Sequence, residues 1–246
     1  MNYYEIKPSE FLKSFIKCFW FYENDVETTH TILPDGYFDI IATVEDEQIV
    51  SLTLTGIWNT PKEVKLHKNT TIYGIRFKLP AVEYLFRKEI QSILNTFNEL
   101  PLHFWGINTT SYTSLEQYVE YISNYIETVA EKTAKPDDKK ILLFRLVYQK
   151  QTFSVKEIAE KLNWSSRQIN RYFKSQFGIT LKDFINIVRC NSAYKDIAKG
   201  NLYPQNNFYD QAHCIKEVKK YTGTTPKKLY KNDDDRFLQL SHSKFK

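Results

Sequence analysis

The rhythm of hydrophobic and polar positions changes once along the chain. Over residues 1–80 the apolar positions come as short runs rich in β-branched and aromatic types: Ile16–Tyr22, Tyr37–Val44, Ile49–Leu54 and Thr70–Phe77. Such runs predict strands. Leu33-Pro34-Asp35-Gly36, Asn59-Thr60-Pro61 and Lys68-Asn69 separate them as turns. Pro80 opens a predicted short helix, Ala81–Arg87, with more helix expected through Ile90–Leu100. From residue 114 the period becomes helical. Leu115, Tyr118, Val119, Ile122, Tyr125, Ile126 and Val129 recur at spacings of three and four, which predicts an amphipathic helix over 114–130. Glu131–Lys140, with Pro136 and mixed charge, is the predicted linker, and everything beyond it reads as helix.

The helix starts in that last part are sharply written. After a lead-in helix, Ile141–Tyr148, Ser154 and Glu157 have capping-box spacing, with Phe153 and Ile158 placed as a hydrophobic staple. The same device returns after Asn163: Ser165 is the cap, Gln168 the box partner, and Trp164 and Ile169 the staple. This second helix sets Arg167, Gln168, Asn170, Arg171 and Lys174 away from the apolar row Ile169, Phe173 and Phe177, and Gly178 ends it. Thr180 with Asp183 forms a third cap, and Ile187–Lys199 is a predicted connecting helix. Ala159 leaves room for the paired helices to approach closely. A tight two-helix unit with Arg and Asn on the free face is what reading a major groove requires, since Arg matches guanine O6/N7 and Asn matches adenine N6/N7. An ordinary helical hairpin with a polar face is the plainer alternative.

Charge favours the first reading. The net +5 of 246 residues conceals an asymmetry. Residues 1–138 hold 12 Lys+Arg against 20 Asp+Glu, a net −8, whereas residues 139–232 hold 19 against 6, a net +13. A strongly basic block attracts polyanions such as duplex DNA. No run of 18 apolar residues is present, so no membrane span is expected. The start lacks the pattern of a secretory leader, and three scattered cysteines suit a reducing, cytoplasmic setting.

The segment Arg171–Phe184 recurs, offset by 45, as Lys216–Leu229, with Gly178 matching Gly223 and Thr180 matching Thr225. Such a repeat signals a duplicated supersecondary unit. On these residues, Ser154–Gly178 and Tyr209–Pro226 resemble the tandem helix-turn-helix of bacterial AraC-type transcription regulators. Leu33–Asp39 and Gly74–Pro80 resemble an uncharacterised sensor domain found in some of them. The resemblance implies an α+β chain: a β-rich sensor or partner-binding domain over 1–108, for which a cupin-like form is one reading, then a helix and linker over 109–136. An all-α domain with two helix-turn-helix units over 137–232 and a tail over 233–246 complete it. It implies base contacts from Arg167, Asn170 and Arg171 in the first unit and from Gln211, Ala212 and Lys216 in the second. Phosphate contacts are implied for Ser165, Gln168, Lys174, Lys219 and Lys220. Two departures stand out. Gly200–Asn207 is too short and turn-rich for the usual positioning helix of the second unit, and Cys214 and Val218 hold positions of bulky aromatics.

No catalytic constellation, metal-ligand spacing or cofactor loop is found, so neither enzyme activity nor a cofactor is expected. Cys18 reads as core, and Asp35 and Asp39 as turn residues. The expected partner is double-stranded DNA. A small-molecule effector is a further candidate; Trp20, Tyr22, Phe38, Trp58, Tyr73 and Phe77 would line its cavity, or else simply form core. Helix 114–130 would serve a homodimer or pack on its own sheet. An adaptor with only non-specific DNA affinity is the alternative function.

Overall fold

The computed structural model describes residues 2–46, 48–107, 114–132, 137–149, 153–204, 208–232 and 237. Pro136 in the predicted linker, Gln205–Asn207 of the turn-rich stretch and nearly all of the tail lie outside the described residues. In chain order the strands are β1 (Asn2–Ile6), β2 (Ile16–Asn24), β3 (Thr28–Ile32), β4 (Phe38–Glu45), β5 (Gln48–Thr55), β6 (Lys62–Leu66), β7 (Thr70–Phe77) and β8 (Phe97–Glu99). The helices are α1 (Leu115–Glu131), α2 (Asp138–Tyr148), α3 (Val155–Leu162), α4 (Ser166–Phe177), α5 (Leu181–Ala198), α6 (Gln211–Thr222) and α7 (Pro226–Lys231). A β-rich region is therefore followed by an all-helical one.

The chain divides into two units: residues 1–28, 37–57 and 66–141 form the first, and residues 29–36, 58–65 and 142–246 the second. Two short excursions of the N-terminal half thus belong with the helices, an arrangement that no local pattern announced.

The first unit is built on a six-stranded antiparallel sheet of order β1-β2-β7-β4-β5-β8. Side chains alternate across a strand, and residues paired across an antiparallel ladder share a face. Phe38 pairs with Phe77, and Phe21 with Tyr73, on one face. That face carries ring contacts from Phe77 to Phe86 and Trp105 and from Tyr73 to Tyr118 of α1. Tyr118, Ile122 and Ile126, the centre of the α1 stripe, are buried within this unit. The centre of the stripe thus packs on its own sheet, while Tyr125 at its margin stays exposed.

The other face holds a polar cluster. Asp39 Oδ1 accepts from Trp20 Nε1 at 2.8 Å and from Arg76 Nε at 3.1 Å, and the Asp39 backbone N–H donates to Thr55 Oγ1 at 2.8 Å. The guanidinium lies 5.9 Å from the Trp20 ring centroid. Gly74 sits opposite Trp20 in the ladder because a Cβ there would lie 1.9 Å from the indole. Cys18 is buried, and burial pushes its thiol up to about 12, so it behaves as a small apolar group.

Four strand predictions agree with β2, β4, β5 and β7 to within two residues at each end. The short strands β1, β3 and β6 escaped because each is five residues long, too short to carry a clear period. Ala81–Arg87 is a single π-helical turn, Val82–Phe86, ended by Arg87 at φ 54°. The helix expected through Ile90–Leu100 is replaced by a 3-10 turn at Gln91–Ile93 and by β8. Pairing of β8 with the edge of β5 there outweighs helix propensity.

The helices of the second unit close on an aromatic core. Phe144 of α2 lies 6.1 Å from Phe173 and 6.0 Å from Phe177, both of α4, and Phe173 lies 5.7 Å from Phe184 of α5. The predicted third cap and connecting helix merge into one helix, α5, which begins at the Thr180 cap. β3 and β6 pair as a two-stranded sheet.

Gly74→Ala should force the Trp20 indole off its Asp39 bond. Urea unfolding is expected to show a loss of about 1–3 kcal/mol, the usual cost of overpacking.

Candidate nucleic-acid interface

A helix leaves its first backbone N–H groups without helical partners, and α3 and α4 solve this identically. Ser154 Oγ accepts from Glu157 N at 3.2 Å, while the Ser154 N–H donates to Glu157 Oε2 at 2.7 Å. Ser165 Oγ accepts from Gln168 N at 3.2 Å, and the Ser165 N–H donates to Gln168 Oε1 at 2.9 Å. The bonds to Ser154, that from its backbone N–H foremost, hold the Glu157 carboxyl below its ordinary range. Asn163, at φ 53°, ends α3, so only Asn163–Ser165 separates the two helices. Ile158, Ala159 and Leu162 of α3 and Ile169, Phe173 and Phe177 of α4 are buried. This burial fixes the rotation of α4 and turns Arg167, Arg171 and Lys174 outward as exposed side chains. Neither arginine forms a hydrogen bond or ion pair among the described residues.

The 45-residue repeat runs further than the sequence comparison found. Helix α6 starts and ends 45 positions after α4, and both span 12 residues. Asp210 caps α6 where Ser165 caps α4, with Asp210 Oδ1 accepting from His213 N at 2.7 Å. Gly178 (φ 76°) and Gly223 (φ 71°) both end their helices in the left-handed region. Thr180 and Thr225 then cap α5 and α7. Gln211, Ala212, Lys216 and Lys219 stand exposed on α6 at the places that Ser166, Arg167, Arg171 and Lys174 hold on α4. Beneath them Cys214, Val218 and Thr222 are buried in place of Ile169, Phe173 and Phe177, a thinner apolar base. Lys199–Pro204 and Phe208–Asp210 contain no helix, so no positioning helix precedes α6 among the described residues.

Several of the expected contact residues have partners within the fold. Asn170 Nδ2 donates to the Ser166 carbonyl at 3.0 Å, and its Oδ1 accepts from Leu181 N at 3.2 Å. It ties α4 to the start of α5. Lys220 is drawn onto its neighbour, with Nζ 3.1 Å from Tyr221 Oη and 3.8 Å from Asp183 Oδ1. The bond to Tyr221 raises the Lys220 pKa, so the charge is firmly held but is committed in part inside the fold. Ser165 and Gln168 spend their oxygens on the cap.

The six aromatics expected around an effector do not line one cavity. Phe38, Tyr73 and Phe77 face one side of the sheet and Trp20 and Tyr22 the other, while Trp58 belongs to the second unit, under Lys62. Strand alternation separates them. One polar hollow of about 460 Å³ lies at the strand ends of the first unit, lined by Asn2, Glu23, Asn24, Asp25, Asn69 and Thr71. Among the described residues no group of three or more His, Cys, Asp or Glu side chains could hold a metal ion, and no helix is long and apolar enough to cross a membrane.

Residues 4–99 match the family model described as Domain of unknown function (DUF6597). That span covers the sheet of the first unit and both excursions into the second. A search of curated proteins gave no match. Solved structures with a related course include ToxT from Vibrio cholerae O395, at 14% identity, 90% coverage of this chain, 99% of that chain and a TM-score of 0.46. Unsaturated fatty acid bound wild-type ToxT from the same organism is 13% identical over 85% of this chain and 93% of that chain, with a TM-score of 0.40.

Two outcomes test the site's local chemistry. Asn170→Ala should lower stability by about 1–2 kcal/mol, because the Leu181 N–H loses its acceptor, while Arg171→Ala should stay within about 0.5 kcal/mol of the parent. Thermal unfolding of both variants separates the roles. The α3 cap should also be pH-dependent. The Glu157 pKa is depressed in the folded chain, so its contribution is present above the ordinary carboxylate range and lost as pH falls through the lowered value. Hydrogen exchange at the first turn of α3 should therefore quicken on acidification, and Glu157→Gln should flatten that response.

Proposed function

We propose that the chain is a sequence-specific DNA-binding transcription regulator of the AraC type, acting in the cytoplasm. The observation that carries this reading is the pair α4 and α6. The two helices have equal length, equivalent caps and equivalent glycine stops, and each presents an exposed cationic row on the free face. The +13 block between residues 139 and 232 supplies the sequence-independent attraction to phosphate. Within that frame Arg167 and Arg171 read bases from the first unit, with Gln211, Ala212 and Lys216 as their counterparts in the second. Lys174 and Lys219 meet phosphates, and the free N–H groups at the capped start of α4 supplement them. Asn170 serves as a brace for this set rather than a reader.

The N-terminal domain is then the controlling half, answering to a small molecule or a partner. The polar hollow lined by Glu23, Asp25 and the neighbouring amides is one place to look for a ligand.

Selection of bound sites from random duplexes by the full chain at physiological salt should recover a motif of two half-elements about 34 Å apart. A motif-free outcome would favour the adaptor with non-specific affinity. On the recovered site, Arg171→Ala should cost about 1–3 kcal/mol at one base pair and relax specificity there. Lys174→Ala should weaken all duplexes alike and reduce the salt slope by about one. Identical behaviour of the two variants would overturn the division into base and phosphate contacts.

A further inference from the structure

The second unit contains a piece of the N-terminal half, and its hydrogen bonds are unusually specific. Three consecutive backbone carbonyls of the Leu33–Gly36 turn accept from three helical side chains of that unit. Tyr194 Oη of α5 donates to the Pro34 carbonyl at 3.1 Å, Asn191 Nδ2 of α5 to the Asp35 carbonyl at 3.0 Å, and Tyr148 Oη of α2 to the Gly36 carbonyl at 2.9 Å. Leu33, Asp35 and Tyr194 are all buried. Gly36, at φ 82°, lies so close to α5 that a Cβ would come within 2.9 Å of Val188 Cγ2. Thr31, just upstream, pairs with Phe237 in a parallel bridge.

The placement of these bonds gives them meaning. Helix α5 starts at the Thr180 cap behind α4 and ends at Ala198, ahead of α6, so it is the spacer between the two cationic helices. A buried Tyr hydroxyl and a partly buried Asn amide need partners, and here the turn supplies them. We infer that Tyr148, Asn191 and Tyr194 are positioning residues of the DNA-binding unit, which holds the Leu33–Gly36 turn as a clasp that fixes α5 and hence the spacing of α4 and α6. This rests on the DNA-binding reading above. It adds that the helical half is incomplete without residues 29–36. The turn runs directly into β4, where Asp39, four residues after Asp35, anchors the Trp20–Arg76 cluster.

The test uses the full chain with Tyr148→Phe and, separately, Asn191→Ala. Each removes one donor to the turn and spares the buried Tyr194. Hydrogen exchange without DNA should quicken together in residues 29–36 and 181–198, with β7 and α3 unchanged. Binding is then measured on the selected two-element duplex and on a duplex with only the first element. A positioning role predicts about tenfold weaker binding to the two-element duplex, with one-element affinity and the salt slope kept. Equal loss on both duplexes, or no loss on either, would overturn the inference, since a merely stabilising contact has no reason to discriminate between them. Exchange that quickens in the turn but not in α5 would also overturn it. If the parent chain selects no motif, the regulator reading fails, while the exchange result still decides whether the clasp holds α5.

Discussion

Unpaired backbone donors at a helix start must be satisfied, and that requirement organises the basic half of this protein. Ser154, Ser165, Thr180, Asp210 and Thr225 each turn a side-chain oxygen onto the N–H three residues ahead. A cap fixes where a helix begins, and a left-handed glycine fixes where it ends. Together they set the phase of the residues between. α4 runs from Ser166 to Phe177, and with Ile169, Phe173 and Phe177 buried on one face, Arg167 and Arg171 stand on the other. The same two devices, 45 positions later, give α6 the same phase although its buried residues are smaller. The caps and stops thus fix the extent of each helix, and burial of its apolar row turns the cationic row outward.

The N-terminal half follows a different logic. Its sheet carries a large aromatic cluster on one face and the charged Trp20–Asp39–Arg76 cluster on the other. A buried carboxylate is tolerated because both an indole N–H and a guanidinium meet it, and Gly74 leaves space for the indole. Few side chains could replace any member of that set, since each depends on the geometry of the others.

What the sequence disclosed tracks the range of the interaction. Caps, glycine stops and the Arg171–Phe184 repeat are written within a few residues of one another, so α3, α4 and the start of α5 could be placed without coordinates. The role of Asn170 could not. It sits on the polar face of α4, yet the chain doubles back at Gly178 and brings the Leu181 N–H to its side chain. The commitment of Lys220 to Asp183 likewise spans two helices. The aromatic set failed as a cavity because facing depends on register between strands, and Phe38 against Phe77 is fixed by a ladder joining residues 39 positions apart. β3 and β6 were illegible for a related reason: their residues are polar and their pairing is distant.

The bonds from the Leu33–Gly36 turn to α2 and α5 connect residues 112 to 160 positions apart in sequence. During synthesis the turn therefore leaves the ribosome long before any of its three donors exists, and the helical unit cannot finish folding until α5 has emerged. Contacts of such separation are slow to form and leave the waiting segment exposed to wrong partners. A nascent chain that stops short of α5 therefore holds the turn with at most the Tyr148 hydroxyl to bind it, because Asn191 and Tyr194 have yet to be made.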